Sequence, residues 1–276
     1  MRKLEIREVK CKTLLHRLEF GGSSGYTANF YRGCCHGCVY CYVPSLIHDE
    51  RDWGSFVDAK VNSPEVLAVE LRQVQKNVVF LSSATDPYQA PEARYGITRR
   101  CLQVLLNSGF PVSILTRSPL VLRDLDLLKK FDWLRVGLSI STVPDRLYEP
   151  GVSSLERRIE VLKRLSSAGI RTWVSLAPVV PQLILTDLER LIEKLAEAGV
   201  SSVSPGILRF QGYEESKAMF ERVIGTPSAP LMRGGGETLS RVQGLLRRYS
   251  LDRSDELFRW SAAEEHLNLD QFARSR

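Results

Sequence analysis

The sequence predicts an α/β fold: a partial (β/α)6 barrel with a C-terminal helical extension. Amphipathic helical stretches alternate with short apolar strands, and helix after helix stops at Ser-Gly or Ala-Gly before the next strand. Strands in that rhythm form a parallel sheet with right-handed crossovers. Six strands are too few to close an eight-stranded barrel, so the barrel stays open.

The first strand is expected at Ala28 to Tyr31. Ser63-Pro64-Glu65 marks an N-cap with proline in the first helical turn, followed by Leu67, Leu71 and Val74 at helical spacing. The strand Val78-Val79-Phe80-Leu81 comes next. Thr98, Leu102, Leu105 and Leu106 share one face of the second helix, which ends at Gly109 before the strand Val112-Ser113-Ile114-Leu115. Ser118-Pro119 opens a third helix with Val121, Leu125 and Leu128 inward, ahead of a strand from Leu134 to Ile140. Ser153 and Glu156 form a capping box before Ile159, Leu162 and Leu165; Thr186 and Glu189 repeat it before Leu188, Leu191, Ile192 and Leu195. The last two strands are Thr172 to Leu176 and Val200 to Ser204.

Beyond Phe210 the rhythm changes to two helices, Glu214 to Val223 and Leu239 to Arg248, which are expected to cap one mouth of the barrel. Gly234-Gly235-Gly236 between them is a connector, since the Lys-Ser/Thr of a phosphate loop does not follow. The expected division is an N-terminal segment 1–25, a core 26–210 and a helical extension 211–276.

With 43% hydrophobic and 25% charged residues, the 276-residue chain has the balance of a globular protein and needs no disulfide staples for its core. It shows neither an apolar run long enough to span a membrane nor the apolar stretch of a secretory signal, so a cytoplasmic location without membrane attachment is expected. The net charge of +6 is compatible with a polyanionic partner, but the basic residues come in scattered pairs such as Arg99-Arg100 and Arg247-Arg248.

Four of the six cysteines crowd into Cys34-Cys35-His36-Gly37-Cys38-Val39-Tyr40-Cys41. In a cytoplasmic chain that points to metal or redox chemistry. Read as C-x3-C-x2-C, the loop offers Cys34, Cys38 and Cys41 as three thiolate ligands of a four-iron four-sulfur (4Fe-4S) cluster, leaving one iron open for catalysis. Gly33 and Gly37 suit a loop that wraps a bulky group through conformations unfavourable to side chains. Cys35 is then a bystander and Cys101 a small core residue. Two alternatives stand beside this reading: a structural zinc site completed by Cys35 and His36, and an iron–sulfur electron carrier or sensor with Cys11 or Cys101 as fourth ligand.

The C-x3-C-x-(aromatic)-C pattern, with Tyr40 as the aromatic, resembles the radical S-adenosylmethionine (SAM) superfamily. Asn29-Phe30-Tyr31-Arg32-Gly33-Cys34 through Cys41-Tyr42 is similar to the branch that contains spore photoproduct lyase and other proteins related to DNA repair photolyases. So are Thr85-Asp86-Pro87-Tyr88-Gln89, Thr116-Arg117-Ser118-Pro119-Leu120-Val121-Leu122-Arg123-Asp124, Leu147-Tyr148-Glu149-Pro150 and Ala177-Pro178-Val179-Val180-Pro181. The similarity runs over roughly residues 26 to 210.

The resemblance implies a radical SAM barrel and an enzyme that reductively cleaves SAM to a 5′-deoxyadenosyl radical, which abstracts hydrogen from a substrate. Its cofactors would be a 4Fe-4S cluster and SAM. A reducing protein such as a flavodoxin or ferredoxin would be a partner, and a nucleic acid is among the candidate substrates. By motif position it implies Tyr40 and Tyr42 on the adenine side of SAM, Thr85 as a polar contact, Arg117 facing the methionine carboxylate, and Ser139 and Ala177 as further contacts. Arginine suits that place, because its fork can grip a carboxylate at two points. Asp86 and Tyr88 are expected to face the substrate. Where the lyase keeps a hydrogen-donating cysteine this chain has Ser83, whose O–H bond is too strong for that task, so the lyase's own repair route is not expected.

Overall fold

The computed structural model describes residues 4–20, 23–143, 145–184 and 187–251. Thr186 of the second expected capping box, and residues 252–276 of the extension, lie outside the described residues. In chain order the elements are β1 (Glu5–Val9), β2 (Leu15–Phe20), β3 (Ser23–Ala28), β4 (Tyr31–Arg32), α1 (Pro44–Ile47), β5 (Phe56–Lys60) and α2 (Ser63–Glu70). There follow β6 (Val79–Leu81), α3 (Glu92–Tyr95), α4 (Ile97–Asn107), β7 (Val112–Thr116), α5 (Leu125–Leu128), β8 (Leu134–Ile140), α6 (Asp145–Tyr148) and α7 (Leu155–Ser167). The chain continues through β9 (Arg171–Val179), α8 (Leu188–Glu197), β10 (Ser202–Ile207), α9 (Glu214–Ile224) and α10 (Gly235–Arg248).

A seven-stranded sheet runs β10-β9-β8-β7-β6-β3-β2. Its members from β3 to β10 pair in parallel, and β2 closes one edge as an antiparallel hairpin partner of β3. These six parallel strands form the expected half-barrel. One strand differs from expectation. The apolar run from Ala28 to Tyr31 splits at Asn29, whose side-chain oxygen accepts from Ala84 N (2.8 Å) and whose carbonyl accepts from Lys60 Nζ (2.8 Å). The chain bends there, so Tyr31 and Arg32 leave the barrel and pair with β5 in a small sheet ordered β1-β5-β4. The expected boundary between residues 25 and 26 falls inside β3.

Alternation along the strands sorts the side chains. Val112, Ile114, Val136, Leu138, Ile140, Val174 and Leu176 are buried in the main core, where Leu102 and Leu105 of α4, Val161, Leu162 and Leu165 of α7, and Leu191, Ile192 and Leu195 of α8 also lie. The intervening residues, Ser113, Gly137, Ser139, Trp173 and Ser175, line the concave face. There Trp173 packs with Phe80 and lies across Gly137, where an added Cβ would come within 2.2 Å of the indole.

The third helix of the sequence reading is a 3-10 stretch, Pro119–Asp124, that runs on into α5. At α7 the cap is Ser154, which accepts from Arg157 N (3.3 Å), and not Ser153. At α8 the cap is Asp187. Ser63 is the first residue of α2 rather than its cap, and its hydroxyl donates to Lys60 O (2.7 Å).

The extension divides in two. Helix α10 packs on β10 and α8, burying Val242 and Leu246 in the main core, and Val203 N donates to Leu251 O (2.9 Å). It therefore serves as the wall helix of the last strand. Helix α9 alone lies at the mouth, where Phe220 packs with Phe210 and Tyr148 in a second cluster that contains Cys38 and Tyr40. Among the described residues no helix is long and apolar enough to cross a membrane.

Candidate cofactor site

The cysteine loop leaves β4 through Gly33 (φ +79°) and turns again at Gly37 (φ +59°), both left-handed conformations that glycine tolerates. A Cβ on Gly33 would also lie 2.5 Å from the Phe56 carbonyl oxygen. Loop hydrogen bonds fold it tightly: Gly37 N donates to Cys34 O and Cys41 N to Cys38 O (3.3 and 3.1 Å). Two straps hold it from outside. From the end of β6, Thr85 Oγ1 donates to Gly33 O (2.6 Å), and Gln89 reaches both Gly33 O and Cys35 N. From the end of α6 and the residues after it, Tyr148 O accepts from Val39 N and Gly151 N donates to His36 O, each at 3.0 Å.

Cys34 and Cys38 are buried, and Cys41 is half-buried. Burial pushes the Cys34 thiol well up, the Cys38 thiol up to about 12 and the Cys41 thiol up to about 11. As free thiols all three would be protonated at neutral pH; as thiolates they need cationic charge beside them, which bound iron supplies. Electrostatic contact runs along the loop, from Cys34 to Cys38 and from Cys38 to Cys41. Among the described residues no three His, Cys, Asp or Glu side chains close on a single ion-sized site. A four-iron cluster does not ask for that, since its cysteine ligands bind separate irons. The donor set and the glycine-lined loop thus fit such a cluster. Cys35 turns to the main core, Cys101 is fully buried in it, and Cys11 is held by paired bonds to the Asn62 side chain, near Cys101.

Arg117, at the end of β7, stands beside this loop. Its backbone is fixed at both ends: its N–H donates to Asp86 Oδ2 (2.7 Å) and its carbonyl accepts from Ser153 Oγ (2.9 Å). Its Nε lies 3.5 Å from Glu149 Oε1. Among the described residues neither Nη atom has a hydrogen-bond partner, and the side chain keeps 23% of its surface exposed. Burial works against its charge, but Cys38, Tyr40, Glu149 and Asp86 act on it the other way and hold the guanidinium firmly protonated. The result is a cationic, partly exposed fork next to the cysteines.

Tyr40 donates its hydroxyl to Glu149, and Tyr42 donates to the Ser83 carbonyl. The Tyr42 ring is 40% exposed and lies 5.7 Å from that of Tyr213. Ser139 sits on the concave face opposite Ser175, and Ala177 follows two residues later on β9, next to Gly206. Thr85 is half-buried, its hydroxyl spent on Gly33 and Gln89. The substrate-facing expectation needs correction for two residues. Asp86 is 3% exposed and accepts from Thr116 Oγ1, Arg117 N and Tyr88 N, with His36 Nδ1 at 3.4 Å. It joins strand ends behind the site. Tyr88 is wholly buried in the main core, beside Asp124 and Glu92. A polar turn after a strand reads as mouth-facing, but Pro87 and Tyr88 turn back under the barrel wall.

Sequence reasoning missed Glu149, Arg158 and Ser153 as site residues. Glu149 falls in a motif noted only for its likeness, and its partners Tyr40 and Arg117 are 109 and 32 positions away.

A profile of the radical SAM superfamily matches residues 28–195. The chain belongs to this superfamily. It is an enzyme of the radical SAM class, and membership brings an iron–sulfur cluster, SAM, a reductant and a substrate. An uncharacterised protein of Methanocaldococcus jannaschii is 35% identical over 195 residues, covering 69% of this chain and 73% of its own. An uncharacterised protein of Mycobacterium tuberculosis is 31% identical over 265 residues, covering 89% of this chain and 74% of its own. A radical SAM Nα-GlyT isomerase of Pseudomonas phage M6 is 31% identical over 197 residues, 69% of this chain but only 40% of the isomerase. Among solved structures, spore photoproduct lyase superposes with a TM-score of 0.69 at 16% identity, covering 92% of this chain and 79% of the lyase. That likeness establishes the shared half-barrel.

Proposed function

We propose that Cys34, Cys38 and Cys41 hold a 4Fe-4S cluster, that SAM binds between this cluster and Arg117, and that the enzyme abstracts hydrogen from a nucleic acid. When bound, the cluster and SAM together supply a one-electron reductive cleavage that generates a carbon radical. The observation that carries the reading is the juxtaposition of three clustered thiols with the unpartnered Nη fork of Arg117. That fork suits a carboxylate gripped at two points. The rings of Tyr40 and Tyr42 line the same mouth and suit the adenine, with Ser139 and Ala177 on the barrel side. Thr85 supports the cysteine loop first, and would touch SAM only through its remaining surface.

A nucleic acid is favoured by a protein of similar fold, the spore photoproduct lyase solved with a dinucleoside spore photoproduct. The net charge of +6 agrees. Ser83 accepts from Thr27 and Asn29, and its O–H bond is too strong to replace a thiol as hydrogen-atom donor. The reaction is therefore not the lyase's thiol-assisted repair. A flavodoxin- or ferredoxin-like protein would supply the electron.

The test is 5′-deoxyadenosine formation by anaerobically reconstituted protein with dithionite and SAM, beside Cys38→Ala. Nucleoside from the parent and none from the variant is the expected result. No nucleoside from a fully loaded, reducible parent, with or without oligonucleotides, would sink the reading. A rate that oligonucleotides leave unchanged would remove nucleic acid as the substrate.

A further inference from the structure

We propose that Glu149 is a positioning residue for SAM: it aims the Arg117 fork and locks it in register with the cysteine loop. The inference rests on the functional reading above.

Glu149 is 1% exposed and touches three elements of the site at once. Its Oε1 accepts from the Tyr40 hydroxyl and lies 3.5 Å from Arg117 Nε. Its Oε2 lies 2.9 Å from Nη2 of Arg158, which is itself fully buried. Arg158 then donates through Nη1 to the Ser139 carbonyl (2.9 Å). One carboxylate therefore links Tyr40 of the cysteine loop, Arg117 at the end of β7 and, through Arg158, Ser139 of β8. Those are three of the six positions that the family resemblance assigns to SAM.

The geometry says what the link does. A guanidinium is planar, so engaging Nε from one side directs the two Nη atoms to the other. With its backbone pinned by Asp86 and Ser153 and its Nε facing Glu149, Arg117 has little freedom except at the fork. The segment carrying Glu149 also clasps the cysteine loop directly, through Tyr148 O and Gly151 N. Gly151 permits that approach, since a Cβ there would lie 2.4 Å from the Cys35 carbonyl oxygen. Burial raises the pKa of Glu149, but the charges of Arg158 and Arg117 and the bond from Tyr40 outweigh it and hold the carboxylate ionised. A buried ion pair adds little net stability compared with apolar packing. What it adds here is a fixed direction for a cationic fork.

Glu149→Gln tests this, because it keeps the shape and an acceptor for Tyr40 while removing the charge. Four measurements are made on reconstituted parent and variant: thermal melting, iron and sulfide content, SAM affinity by equilibrium dialysis, and the change that SAM induces in the reduced-cluster electron paramagnetic resonance spectrum. Loading equal to the parent, with SAM bound at least tenfold more weakly and a smaller spectral change, is expected. Glu156→Gln, an exposed carboxylate in the first turn of α7, should match the parent. The double variant Glu149→Gln, Arg158→Met removes the arginine that faces Glu149, and weak SAM binding should persist in it. Parent-like affinity in Glu149→Gln overturns the proposal. So does restored affinity in the double variant, which would reduce Glu149 to a neutraliser of Arg158. Cooperative melting without iron loading in both variants places the residue in loop assembly and overturns it as well. A parent that loads its cluster but binds no SAM would instead defeat the functional reading itself.

Discussion

Arg117 combines a fixed backbone with a fork that no described residue engages. If that fork grips a carboxylate at two points, charge alone will not replace it. Arg117→Lys keeps the charge but offers a point donor on a flexible stem. SAM affinity is expected to fall about tenfold, near 1.4 kcal/mol, with iron content unchanged; an unchanged dissociation constant in equilibrium dialysis would show that the fork has no ligand. That Cys34, Cys38 and Cys41 share one tight loop was legible because their spacing is local. Gly33 and Gly37 were legible for the same reason, and both take up positive φ. Glu149 was not legible, because its meaning lies in partners supplied by separate elements. Asp86 and Tyr88 were misread because nothing in a turn sequence says which way it leaves the strand.

Helices and strands carry the next level of information. Apolar periodicity located five of the six parallel strands, since a strand buried on its helix-facing side must show short apolar runs. It failed at Ala28 to Tyr31, where a single asparagine divides the run between two sheets. Capping signals located the start of α7 to within one residue, and that one residue separates two roles. Ser154 accepts from Arg157 N as the helix cap, whereas Ser153 donates to the Arg117 carbonyl. Ser154→Ala should therefore lower unfolding stability by about 1 kcal/mol, the usual cost of a lost cap. Ser153→Ala should change stability less and raise the SAM dissociation constant. Urea melts and SAM titrations on the two variants separate them. Equal effects of both on stability, with none on SAM, would make the adjacent serines a single cap.

Across the whole molecule, the cysteine loop and α9 pack as one unit. Cys38, Val39 and Tyr40 share an apolar cluster with Phe210 and Phe220, and Ser45 just beyond the loop accepts from Ser216 N at 3.0 Å in α9. Residues far apart in sequence thus meet at the mouth, which explains why a helical extension was legible as a cap while its split was not. Helix α10 follows α9 in the chain, yet it packs on β10 and α8 rather than at the mouth. The shared cluster couples metal to helix docking. A group that binds the folded loop stabilises whatever the loop packs against. Removing iron with a chelator should therefore lower the melting temperature, by about 2–4 °C for each kcal/mol of linkage in a chain of this size. It should also speed tryptic cleavage at Lys217 and Arg222, which lie on α9, more than at Arg164 or Lys194 on α7 and α8. Limited proteolysis of loaded and chelated protein, read by mass spectrometry, checks both the rate and the place. Cleavage that accelerates equally on all three helices would mean that metal loss loosens the barrel as a whole, and that α9 docks independently of the cysteine loop.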